Sequence, residues 1–264
     1  MTTETEEQLV DLEDCGAYAI MRMNRPDKRN AMNRAMREAM LKALEKCRGK
    51  YNVVVLVGTE TSFCAGIDLK EIRADRAAGK SADHRFGWNE VLLAIRQHPA
   101  IFIAAVNGTA LGGGSTLINV CDLAIAGEDV QIGMPEMGFA TYPGLAGPAA
   151  QLSMARKHAA YMILTAKRID GKQAEKWALV NKAVPLNDLL SEVKDLASHI
   201  AQFDAAALSE SKRALDYVPS VITEWRQMFE YGAKVNAQIR AKSSAQNEGM
   251  ARFAKGERNI GQGR

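Results

Sequence analysis

The sequence predicts an α/β fold with a parallel sheet, followed by a helical C-terminal region. Three observations carry that reading. Short runs rich in Val and Ile at 53–57, 101–106 and 123–126 are almost wholly apolar, as strands buried on both faces are. Helical or irregular segments separate these runs, and strands alternating with helices call for parallel strands joined by crossovers. Beyond about residue 148, apolar residues recur at helical spacing through most of the chain.

Each element follows in turn. Residues 17–24 alternate around Tyr18, Ile20 and Arg22, the pattern of an antiparallel strand. Arg25-Pro26-Asp27-Lys28-Arg29-Asn30 reads as a turn. From Ala31, apolar pairs stand four apart (Ala31/Met32, Ala35/Met36, Ala39/Met40, Ala43/Leu44), giving a helix with one buried stripe that ends near Gly49. The polar stretch 73–85, with Gly79, Lys80 and Ser81, is expected to be a mobile loop or a loosely attached helix. Helices are expected at 149–165, 171–179, 189–202 and 205–217. The section 219–253 holds Trp225, Met228, Phe229, Tyr231 and Ile239, too apolar for a free tail, so it packs on the core or on another subunit. The chain thus divides into a core over 1–200 and a helical region over 201–264.

Composition excludes several classes. A chain of 264 residues, 47% hydrophobic and 25% charged, buries a full core without staples. A net charge of +3 is too small to make nucleic acid or an anionic membrane the main partner. Cys15, Cys47, Cys64 and Cys121 form no C-x-x-C pair and are expected to be reduced thiols; His84, His98, His158 and His199 show no metal-ligand spacing. The first residues are acidic and lack the apolar stretch of a secretory signal. No apolar run approaches the roughly 20 residues needed to cross a bilayer, so a soluble, cytoplasmic protein is expected.

Two glycine-containing turns follow buried strands. One is Phe63-Cys64-Ala65-Gly66-Ile67-Asp68-Leu69-Lys70; the other runs from Asn107-Gly108 to Gly112-Gly113-Gly114-Ser115-Thr116 and opens a helix. Strand, glycine turn and helix together expose backbone N–H groups beside a positive helix end. Two such turns on neighbouring strands can aim two donors at one oxygen, as an oxyanion or enolate requires. Simple tight turns explain the glycines equally well when each is taken singly. The G-x-G-x-x-G spacing of a dinucleotide site is absent. Ser115 or Cys64 as a nucleophile lacks an assignable histidine and carboxylate partner.

An ordered set of motifs narrows the reading. It comprises Arg25-Pro26-Asp27-Lys28-Arg29-Asn30-Ala31, Cys64 to Lys70, Asn107-Gly108 to Gly114, Cys121-Asp122-Leu123, Pro135-Glu136, Pro143-Gly144 and Glu248-Gly249-Met250-Ala251-Arg252-Phe253. Over about 17–258 the chain resembles the crotonase, or enoyl-CoA hydratase/isomerase, superfamily. The resemblance implies a crotonase-like spiral of ββα units with a helical C-terminal region that assembles trimers or dimers of trimers. It implies an acyl-CoA thioester as the partner, with coenzyme A carried as part of the substrate and no separate cofactor.

The same resemblance assigns the oxyanion hole to the amides of Ile67 and Gly113. It assigns the coenzyme A site to Lys28, Ala31, Ala65, Ile67, Asp68, Leu69, Lys70 and Gly113. Asp68 and Lys70 are expected to be solvated or to face the ribose. Gly144 either lets backbone approach a water or substrate, or makes a tight turn. Hydratases of the family use two glutamates; here Glu136 occupies the second position and Thr116 stands at the first. Glu136 is therefore the acid/base, partly desolvated between Met134, Pro135 and Met137. Thr116 either orients water or a substrate hydroxyl, or bonds to its own helix. Phe86, Trp88, Phe139, Tyr142 and Tyr231 are candidates to shape an acyl pocket. A single carboxylate leaves open 3,2-enoyl-CoA isomerisation, aryl-enoyl-CoA hydration with cleavage, a modified hydration, and a non-catalytic CoA-binding protein.

Overall fold

The structure, a computed structural model, describes residues 8–79 and 84–257. Its strands are β1 (Val10–Asp14), β2 (Tyr18–Met23), β3 (Val53–Gly58), β4 (Ser62–Cys64), β5 (Ile101–Val106), β6 (Thr109–Leu111), β7 (Leu123–Gly127), β8 (Ile132–Gly133) and β9 (Lys182–Val184). The helices are α1 (Arg34–Cys47), α2 (Leu69–Ala77), α3 (His84–Arg96), α4 (Gly113–Val120), α5 (Ala146–Ser153), α6 (Arg156–Thr165), α7 (Gly171–Lys176), α8 (Leu189–Ala201), α9 (Ala205–Val221), α10 (Trp225–Lys242) and α11 (Ala245–Ala254).

Six strands form one sheet in the order β1-β2-β3-β5-β7-β9, and three short ones form a second in the order β4-β6-β8. Among the pairings between these strands, β1–β2 is antiparallel and the rest are parallel; an isolated antiparallel bridge joins Ile132 of β8 to Ile169. Each central strand of the large sheet leads into a strand of the small one and then into a helix: β3-β4-α2, β5-β6-α4 and β7-β8-α5. This is the expected spiral of ββα units. The 17–24 strand pairs antiparallel with β1 on one side and parallel with β3 on the other.

The large sheet is apolar at nearly every position because both faces are covered. Val54, Leu56, Phe102 and Ala104 face Met36, Met40, Trp88 and Leu117 of α1, α3 and α4. Val53, Val55, Ile103 and Ile125 pack on the opposite side with Leu189, Val193 and Ala197 of α8.

Several elements depart from the expected ones. The 149–165 helix is two, α5 and α6, broken where Met154 turns extended. β9 interrupts the otherwise helical C-terminal half. In the 73–85 stretch the structure shows helix rather than loop where it is described: 73–77 complete α2, and α3 starts at His84, with 80–83 outside the described residues. Charge pins α2 to α1. The Arg34 N–H donates to Glu71 Oε1 at 3.0 Å, Arg34 Nη2 pairs with Asp75 at 3.3 Å, and Arg37 Nη1 lies 3.7 Å from Glu71 Oε2.

The C-terminal helices dock through a buried lysine. On α9, Lys212 Nζ pairs with Asp122 Oδ2 at 2.9 Å and donates to the Ile95 and Ala100 carbonyls at 3.1 and 2.9 Å. Tyr231 of α10 stacks on Tyr217 of α9, centroids 4.7 Å apart. Val235 is the single buried residue of α10, while Trp225, Phe229, Met250 and Phe253 lie exposed along α10 and α11. Among the described residues, no helix is long and apolar enough to cross a membrane.

Candidate active site

The two glycine turns meet because β4 and β6 are neighbours in the small sheet. Gly66 follows β4 with φ +88°, and a Cβ there would stand 2.6 Å from the Leu111 carbonyl oxygen and 3.1 Å from the Gly113 nitrogen. Only a residue without a side chain lets these backbones come so close.

Ile67 joins Met32 in an isolated parallel bridge. Its two bonds run from Met32 N–H to Gly66 O at 2.8 Å and from Asp68 N–H to Met32 O at 3.1 Å. Those donors and acceptors flank Ile67, so its own N–H takes no part in the bridge. Gly113 is the first residue of α4, where an N–H has no intrahelical acceptor and the helix end is positive.

Gly112 is the hinge between β6 and α4. Its φ of 52° and ψ of −112° lie outside every basin open to side-chain-bearing residues. Its peptide is clamped at both ends: N–H to Gly133 O at 2.9 Å, and O accepting from Thr116 N–H at 3.1 Å. Thr116, buried, also donates its hydroxyl to the Gly112 carbonyl at 3.3 Å, the back-bond within the helix.

Glu136 lies across this hinge. It sits in a 3₁₀ turn over Pro135–Phe139, opened by a proline suited to that position and closed by Ala140 in the left-handed conformation. Its carbonyl accepts from Thr141 N–H and Thr141 hydroxyl, both at 3.2 Å, which fixes its backbone. Its Oε1 is 2.7 Å from the point a Cβ on Gly112 would occupy. Its Oε2 is buried and has no hydrogen-bond partner among the described residues. Burial pushes the carboxyl above the ordinary glutamate value, against a smaller pull from a backbone hydrogen bond. Met134 is fully buried behind it, but Met137 is exposed, so the hinge rather than Met137 covers the carboxyl.

The Lys28 turn lies beside the 64–70 turn. Ala65 N–H donates to Arg29 O at 2.9 Å, and Ala31 N–H to Lys28 O at 3.0 Å. Lys28, Leu69 and Lys70 are exposed and Ala31 is buried. Asp68 corrects the expectation of a solvated residue. It is buried, accepts from the Lys70 and Glu71 N–H groups at 3.0 and 3.4 Å, and pairs with Arg25 Nη1 at 2.7 Å. Asp68 therefore caps α2. Burial opposes its charge, but the Arg25 guanidinium and the two backbone donors outweigh it and hold the carboxyl below its usual value.

Gly144 lies exposed in the turn before α5, with no atom within 4 Å of where its Cβ would stand. Of the aromatic candidates whose side chains are described, Trp88 alone is brought to the glycine turns, 3.0 Å from the Cβ position of Gly113. Tyr142 is bonded to Gln151 at 2.9 Å, Phe139 is exposed, Tyr231 stacks within the C-terminal helices, and the Phe86 side chain lies outside the described residues. Sequence reasoning missed Arg25 and Asn30. Arg25 also donates to Ala31 O at 2.9 Å, and the buried Asn30 side chain accepts from Arg25 N–H at 2.9 Å and donates to Ser62 O at 2.7 Å. A buried Asn tying three segments leaves no periodicity; its only signal is its position inside the Arg25-to-Ala31 motif.

A ββα spiral whose two strand-to-helix turns meet beneath a half-buried glutamate defines a crotonase-fold protein. Residues 14–259 match the family model described as Enoyl-CoA hydratase/isomerase, and the chain belongs to that family. It is 35% identical over 248 residues to a "Probable enoyl-CoA hydratase" of Rhizobium meliloti (strain 1021), covering 92% of this chain and 93% of that one. It is 29% identical over 253 residues to a "Hydroxycinnamoyl-CoA hydratase-lyase" of Pseudomonas fluorescens, covering 92% and 90%. A crystal structure of enoyl-CoA hydratase from Mycobacterium smegmatis superposes with a TM-score of 0.85 at 27% identity, over 95% of this chain and 97% of that one.

Proposed function

We propose that this enzyme binds an acyl-CoA thioester and moves a proton at carbon through an enolate, with Glu136 as its single acid/base. The amides of Ile67 and Gly113 donate to the thioester oxygen. Glu136, as carboxylate, takes a proton from the acyl chain; the electron pair passes to the thioester carbonyl, and the acid form of Glu136 returns the proton. Lys28, Ala31 and the 65–70 turn hold the coenzyme A moiety. The helical region over 201–264 assembles the chain into trimers or dimers of trimers, for which the exposed Trp225, Phe229, Met250 and Phe253 supply apolar surface.

One observation carries the reading: the Glu136 carboxyl, lifted in pKa by burial, lies on the hinge that presents Gly113. A carboxylate made more basic by burial, beside a pre-aimed donor, is what thioester enolisation needs. Thr116 cannot serve as a second carboxylate, and its hydroxyl is committed to the Gly112 carbonyl. Single-base chemistry follows: transfer of a proton between two carbons, or addition of water with cleavage of an aryl-enoyl chain. The second outcome has the hydroxycinnamoyl-CoA hydratase-lyase relative in its favour.

A panel of 2-enoyl-, 3-enoyl- and aryl-enoyl-CoA thioesters, assayed separately for hydration, isomerisation and cleavage, tests the proposal. Turnover of at least one class that is lost in Glu136→Gln supports it. Thioester binding with no turnover of any class would make the chain a CoA-binding protein instead.

A further inference from the structure

Trp88 is a core residue by every packing measure, yet its polar atom is not accounted for by the core. The side chain projects from α3, is fully buried, and belongs to the cluster between the large sheet and α4. Its indole Nε1–H is buried without a hydrogen-bond acceptor among the described residues. An indole nitrogen is donor-only, and a buried donor left unpaired typically costs about 1–3 kcal/mol, so buried tryptophans usually find a partner. The nitrogen lies beside the hinge already described: it stands 3.0 Å from the position of a Cβ on Gly113, with Cε2 at 3.4 Å. Two groups without protein partners thus flank consecutive residues of one turn. They are an acceptor, Glu136 Oε2, at Gly112, and a donor, Trp88 Nε1–H, at Gly113.

We propose that the Trp88 indole N–H is a third donor to the bound acyl group, sharing the thioester oxygen with the Gly113 amide. This rests on the enolate reading above and deepens it. The acceptor must be an oxygen that gains charge during reaction, because only then does a donor held idle in the free protein lower the barrier more than it strengthens ground-state binding. The Gly113 amide is set by the helix and cannot follow the oxygen as it moves from carbonyl to enolate. A neighbouring N–H on a rigid ring, fixed by packing on α3, adds a second direction of approach.

The test is isotope-edited infrared difference spectroscopy on a saturated acyl-CoA carrying a ¹³C thioester carbonyl, which binds but has no double bond to hydrate. It is paired with steady-state kinetics on whichever enoyl-CoA is turned over. In the wild type the bound carbonyl stretch falls relative to free thioester. Trp88→Phe keeps a flat apolar ring and removes the N–H. It should return part of that shift and lower kcat about tenfold or more, with KM changed less than about twofold. A purely structural Trp88 would alter thermal stability but leave the carbonyl frequency where it is in the wild type.

If the wild-type carbonyl is not shifted at all, the oxyanion-hole reading itself fails. If it is shifted and Trp88→Phe leaves both the shift and kcat unchanged, the enolate reading survives and the Trp88 donor is overturned. Should Trp88→Phe not fold, ¹⁵N labelling of the three tryptophan indoles in wild-type protein decides. Movement of the Trp88 N–H resonance to lower field on thioester binding supports the donor, and an unmoved resonance overturns it.

Discussion

Replacing Gly112 by alanine separates the stability of the hinge from its chemistry. At φ 52° and ψ −112° an L side chain is strained, at a cost of about 1–3 kcal/mol. The new methyl would meet Glu136 Oε1 at 2.7 Å, well inside van der Waals contact. That atom ends a flexible side chain, so it swings aside with little further loss of stability. Catalysis does not escape so lightly, since misplacing a reacting group by about 1 Å can cost about 100-fold. Gly112→Ala should therefore lower the melting temperature by roughly 2–12 °C for a domain of this size and cut kcat about 100-fold, with thioester affinity largely kept. Gly49→Ala is the control. It also has positive φ, 71°, but nothing lies within 4 Å of its Cβ position and it is remote from the hinge, so it should lose stability and keep its turnover. Differential scanning fluorimetry and stopped-assay kinetics on both variants read the two effects separately. Wild-type kcat in Gly112→Ala would refute the role given to the Glu136 position.

Glu136→Gln should be inactive yet more stable than wild type at pH 7. Because the folded carboxyl has a raised pKa, the wild type loses stability as pH climbs from the ordinary 4.5 through the folded value. The glutamine lacks that loss, so its advantage should vanish below about pH 4.5, as urea melts at several pH values would show. The same titration predicts that wild-type kcat/KM rises with pH along a limb above 4.5. Asp68→Ala removes the α2 cap and orphans Arg25, and should cost about 2–4 kcal/mol and weaken thioester binding; denaturant midpoints and KM check it. Wild-type stability from Asp68 is present above pH 3.8 and lost as pH falls through its depressed folded value. Lys212→Met removes one partner of Asp122, which keeps Arg96 Nη1 at 3.3 Å and the Phe102 N–H at 2.8 Å, and should cost about 1–3 kcal/mol, with faster hydrogen exchange in α9 and α10; unchanged exchange there would detach Lys212 from docking.

The long strands were legible because burial on both faces writes uninterrupted apolar runs, and α1 because its Met and Ala pairs keep one stripe. The strands of the small sheet, two or three residues each, are too short to carry any period, though they bring the glycine turns together. β1 was hidden by its acidic residues, which lie on the half-exposed edge of the sheet. At the site, Gly66 and Gly112 shape the two strand-to-helix turns, and Glu136 lies beside Gly112. Asp68 is buried rather than solvated, at a helix start whose spacing Asp68-Leu69-Lys70-Glu71 shows. Trp88 was one aromatic among five. Nothing in the sequence distinguishes it; its unpaired N–H and its place beside Gly113 exist only in three dimensions.

The central claim is that Glu136 moves a proton at the thioester α-carbon or its vinylogue. The most direct test incubates the enzyme with an acyl-CoA thioester in deuterated buffer and follows deuterium entering the acyl chain by mass spectrometry. Wild-type protein should exchange protons at carbon, and Glu136→Gln should bind the thioester with similar affinity while exchange falls to background. Full exchange in Glu136→Gln, or none in a wild-type protein shown to bind the thioester, would contradict the account.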